Sequence, residues 1–61
     1  MRNHITKHEV EQIRNLVINH YGYVDEWVES SVLFIIEYAL GMHKHCIPDE
    51  WMMRIIDNIF E

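Results

Sequence analysis

The sequence predicts an all-α fold, a small three-helix bundle. Three observations carry this. Apolar residues recur at three- and four-residue spacing through three segments. Helix-terminus signals bound those segments: Thr6-Lys7-His8-Glu9, Gly22, Gly41 and Pro48. Only two short breaks separate them, with no internal repeat, low-complexity tract or linker. At 61 residues the chain is a single helical domain, 1–61.

The first segment, 7–20, has a full start signal. In Thr6-Lys7-His8-Glu9 the Thr6 hydroxyl is placed to accept from the Glu9 amide, and the Glu9 carboxylate to accept from the Thr6 amide. Ile5 and Val10 stand at the spacing of a hydrophobic staple. Val10, Ile13, Val17 and Tyr21 then mark one face, flanked by Leu16 and Ile18. Glu11, Gln12, Asn15 and Asn19 mark the other. Gly22 stops the helix, because glycine tolerates the left-handed backbone that a C-terminal cap uses.

The second segment, 24–40, is closed by Gly41. At 100° steps Val24, Trp27, Val28, Ser31, Val32, Ile35, Tyr38 and Ala39 fall on one broad face. Glu26, Ser30 and Glu37 form a polar ridge, and Leu33, Ile36 and Leu40 a second apolar strip. The run Val32–Ile36 also suits a strand. Its Glu, Ser, Ala and Leu neighbours, the Gly41 stop and the lack of a partner strand favour helix.

The connector 42–47 leads into the third segment, 48–60. Pro48 opens it, where a missing N–H costs nothing. Asp49 and Glu50 suit the positive end of the helix dipole. Trp51, Met52, Ile55, Ile56 and Ile59 form the apolar face, which Met53 and Phe60 widen. Arg54 is one turn from Glu50, at ion-pair spacing.

A chain this short buries only about 60% of its unfolded surface, so an extra source of stability is expected. One cysteine, Cys46, excludes an intramolecular disulfide. That leaves metal or a second copy of the chain. The first segment has one apolar stripe, but the second and third carry a surplus in Leu33, Ile36, Leu40, Met53, Ile56 and Phe60. A surplus of this kind marks an interface, and a symmetric homodimer is the commonest way to cover it. The competing reading is that the middle helix is central and an ideal wheel overstates its exposure.

Chemistry-bearing constellations are sparse. His43, His45 and Cys46 are zinc-ligand types, with His4 and His8 as a distant second pair. Structural zinc sites use two separated ligand pairs, and that spacing is missing here. The plainer reading is a polar turn, and no metal or cofactor is expected. Cys46 beside His43 or His45 has no third orienting group or oxyanion donors. Gly22 and Gly41 stand alone, so there is no phosphate-cradling loop. Enzymatic activity is not expected. His20 falls on the apolar side of the first helix near its end and reads as a boundary histidine.

Ten acids against five bases give a net charge of −5. The bases Arg2, Lys7, Arg14, Lys44 and Arg54 are scattered, which argues against direct contact with nucleic-acid phosphates. No apolar run approaches the roughly 18 residues of a membrane span, and no signal peptide is evident. A complete soluble, cytoplasmic product is the expectation.

These features point to binding rather than catalysis. The leading expectation is a small acidic regulator that docks on a larger protein and modulates or inhibits it, of the phage or mobile-element type. Its target would include basic, nucleic-acid-binding proteins. Glu26, Glu29, Glu37 and Tyr23 are the candidate partner-binding residues. One alternative is a structural or assembly subunit acting through homo-oligomerisation. The other is a helix-turn-helix DNA binder, which the acidic third helix disfavours.

Overall fold

The computed structural model describes residues 4–60. The order is α1 (Lys7–Tyr21), α2 (Glu26–Ala39) and α3 (Glu50–Phe60). No strand occurs among the described residues, and Val32–Ile36 is helical. The smallest dimension is 18 Å, or about two helix diameters. Each helix contacts the other two, so the three form a bundle and not a flat row.

The α1 start is as the sequence predicts. The Glu9 amide donates to Thr6 Oγ1 at 3.1 Å, and the Thr6 amide donates to Glu9 Oε1 at 2.9 Å. At the other end Gly22 has φ +81° and its N–H donates to the Ile18 carbonyl at 2.7 Å. The helix runs one residue past the expected boundary and takes in Tyr21.

α2 starts two residues later than expected. Asp25 is extended, and its Oδ1 accepts from the Trp27 and Val28 amides at 2.9 and 3.3 Å. A side-chain cap at Asp25 leaves Val24 outside the helix. α2 ends at Ala39 and closes through two turn bonds. The Gly41 N–H donates to the Tyr38 carbonyl and the Met42 N–H to the Glu37 carbonyl. This is the Schellman pattern, and Gly41 supplies its left-handed residue at φ +87°.

α3 also starts two residues late. Its first helical bond runs from the Met53 N–H to the Asp49 carbonyl, so Asp49 takes the cap position. Pro48 is buried just ahead of it and does not open the helix.

Ile13, Val17, Val28, Val32, Ile35 and Ile55 form the buried core. Each helix contributes through the periodicity seen in the sequence. Leu16, Ile18, Tyr21, Ile36, Trp51, Met52, Ile56, Ile59 and Phe60 pack against it. Ile36, Ile56 and Phe60 thus cover this chain's own core, although the wheel places them in the surplus. α2 and α3 each meet two neighbours, so a wide apolar arc is used internally. No helix among the described residues is long and apolar enough to cross a membrane.

Candidate protein-binding surface

The end of α1, the turn after it and the start of α3 meet at one aromatic cluster. His20 stacks on Trp51 with ring centres 3.8 Å apart and planes 8° from parallel. Tyr21 meets Trp51 edge-on at 5.6 Å, and Tyr23 lies 5.8 Å from Tyr21. Gly22 makes this possible, since its left-handed backbone turns the chain at once and leaves Tyr21 and Tyr23 on neighbouring positions.

Tyr23 at its edge, and Val24 and Trp27 that follow it in sequence, are open to solvent. Tyr23 is 51% exposed, Val24 59% and Trp27 64%. The wheel groups Val24 and Trp27 with Val28 and Ile35, which are fully buried. Two local facts separate them. Val24 precedes the Asp25 cap, so helical angles do not apply to it. Trp27 sits in the first turn, one 100° step from Val28, on the flank of the buried face. Tyr23, a candidate partner residue in the sequence, is thus exposed, and Val24 and Trp27, which the wheel puts on the buried face, are exposed with it.

The three glutamates expected to contact a partner have different surroundings. Glu26 is exposed beside Trp27. Glu29 accepts from Arg14 Nε at 3.1 Å and so ties α2 to α1. Glu37 is half-buried, 2.9 Å from His43 Nε2. Only Glu26 of the three lies next to the aromatic surface in sequence.

The self-association set also divides. Ile36, Ile56 and Phe60 pack on the core, while Leu40 and Met53 are half-buried. Leu33 is 55% exposed. Six residues beyond Trp27, it lies about 120° away around α2, so the two belong to different faces.

His43, His45 and Cys46 do not assemble into a ligand set. His43 is held by Glu37 and stacks on Phe34 at 4.9 Å. His45 and Cys46 are exposed in the loop. No group of three His, Cys, Asp or Glu side chains is placed to hold a metal ion among the described residues. Beside this loop Phe34, Ile47, Pro48, Asp49 and Met52 line an open hollow of about 230 Å³. That is smaller than the roughly 300–1,000 Å³ of ligand pockets. Ile47 on its rim is 94% exposed.

No protein-family model, curated protein or solved structure matches this chain.

Proposed function

We propose that this chain acts by binding, as a small regulator that docks on a larger protein through the Tyr23–Val24–Trp27 surface. The observation that carries this reading is the exposure of Trp27 in the first turn of α2, with Tyr23 and Val24 exposed beside it. Tryptophan and tyrosine are enriched at the energetic centres of interfaces, where a rigid ring gains much contact area at little entropy cost. Here they sit on a capped helix start that needs no rearrangement to present them. A photo-crosslinking residue at position 27 tests the reading against the same residue at position 12, on the polar face of α1. Adducts with one protein from position 27 alone support it. Identical adducts from both positions refute it.

A second reading is self-association through α2. It is favoured by Leu33, an exposed aliphatic side chain on a face of its own. A dimer formed there leaves the Trp27 surface free, so the two readings are compatible. Light scattering coupled to size exclusion at low micromolar concentration tests it. Twice the chain mass is expected, with reversion to monomer in Leu33→Glu. A monomeric mass for the unsubstituted chain removes the dimer.

A further inference from the structure

We infer that the partner segment seated on the Trp27 surface is basic and carries arginine. The inference rests on the protein-binding reading above and gives the chemistry of what binds.

The surface joins exposed aromatic rings to carboxylates. Asp25 and Glu26 immediately precede Trp27, and Asp49 and Glu50 immediately precede Trp51, which the Tyr21 ring links to Tyr23. Glu26 and Asp49 are exposed, with no ion-pair partner among the described residues. Among the described residues the lysines and arginines are engaged or lie on other segments, and His20 has its ring stacked on Trp51. Arg14 is paired with Glu29 and Arg54 with Glu50, the latter at 2.6 Å. Lys7 is at the opposite end of α1, and Lys44 is in the loop between α2 and α3. The largely exposed segment 23–27 therefore presents negative charge, at Asp25 and the unpaired Glu26, next to the rings of Tyr23 and Trp27.

Each class of occupant meets that arrangement differently. An acidic segment is repelled. A second copy of the chain on the same face brings Glu26 towards Glu26, since a two-fold interface opposes the same patch to itself. An uncharged apolar segment covers the rings but strips water from Glu26 without replacing its hydrogen bonds. A guanidinium satisfies both features. Its plane stacks on an indole or phenol, while its edge donates to a neighbouring carboxylate. Lysine supplies the charge without the planar stacking.

Chemical-shift mapping on the full chain tests this, using a short peptide of alternating Arg and Ser. The Lys/Ser, Glu/Ser and uncharged Leu/Gln counterparts serve as comparisons. The expected result is a shift set confined to Tyr23, Val24, Trp27 and their neighbours, including the Trp27 indole. Binding should weaken as salt rises, and Arg should exceed Lys about three-fold. Trp27→Ala should weaken the Arg peptide about five-fold and Glu26→Gln about two-fold. Trp27 is solvent-exposed, so its substitution leaves the helix content unchanged by circular dichroism. Trp27→Phe, which keeps a π face, should recover part of the affinity.

Three results overturn the inference. Arg-peptide shifts scattered over all acidic positions, indifferent to Trp27→Ala, reduce it to net charge. Preferential binding of the Leu/Gln peptide at Trp27 removes the basic partner but leaves the docking surface. Concentration-dependent shifts of Trp27 without peptide assign the face to a second copy.

Discussion

The Tyr21 hydroxyl lies 3.0 Å from Ser31 Oγ, joining the last turn of α1 to the middle of α2. Ser31 is buried, and a buried hydroxyl without a partner costs about 1–3 kcal/mol. Tyr21→Phe is expected to destabilise the fold by about 1 kcal/mol, and Ser31→Ala by a similar amount. The double variant should cost less than the sum, because removing both groups leaves neither unpaired. Urea unfolding of the four proteins measures this coupling, and strict additivity would show that the bond contributes nothing.

The caps offer a matched pair of tests. Thr6→Ala should cost about 1 kcal/mol, because it removes the acceptor for the Glu9 amide. Asp25→Ala should cost a similar amount for the Trp27 and Val28 amides. Asp25→Asn should recover most of that loss, since an amide oxygen caps as well as a carboxylate. Thermal melts decide the matter, and equal losses for Asn and Ala would deny the Asp25 cap its role.

Core and rim should differ sharply for the same side-chain type. Ile35 is fully buried among residues of all three helices, and Ile47 is almost fully exposed. Ile35→Ala should cost about 2–5 kcal/mol through lost transfer energy and the cavity left behind. A domain of this size holds about 3–9 kcal/mol in all, so this variant loses a large share of its stability and melts well below the parent. Ile47→Ala should stay within about 0.5 kcal/mol of the parent. Folded Ile35→Ala, with unchanged melting, would contradict the packing.

The loop after α2 is anchored by one side chain. His43 reaches back to Glu37 and stacks on Phe34, and its carbonyl accepts from the Cys46 N–H. His43→Ala should speed hydrogen exchange at Cys46 and Met42 while changing global stability by less than about 1 kcal/mol. Exchange mass spectrometry with site resolution reports it. Unchanged rates at both amides would show that the loop holds itself without the histidine.

Much of this fold is legible in the residues because its signals are local. The Thr6–Glu9 capping box spans four residues and depends on nothing else, so the sequence shows it outright. The periodicity of Ile13 and Val17, and of Val28, Val32 and Ile35, needs only a helix and a core. The helix starts at 26 and 50 are less legible, since Asp25 and Asp49 compete as caps with their neighbours. The exposed surface is least legible. A wheel gives Trp27 an angle but cannot say that no neighbouring helix covers that flank of the first turn of α2, where Val28 is buried and Trp27 is not. The same limit applies to Ile36, Ile56 and Phe60, which are half-buried against the chain's own core. Glu37 and His43 are six residues apart across a helix end, so only the turn at Gly41 brings them together.

The closure of α1 at both ends by its own neighbours bears on how the molecule assembles. Thr6 and Glu9 seal one terminus and Gly22 the other, so this helix requires no distant contact to be defined. The short turn 22–25 then brings α2 alongside, and closing so small a loop costs little entropy. α3 follows the longer connection 40–49, and its Trp51 lies over His20. Contacts this local suit the microsecond-to-millisecond folding rates of helical bundles. The His20–Trp51 stack joins residues of the first and third helices, so the aromatic cluster is complete only when the whole chain has folded.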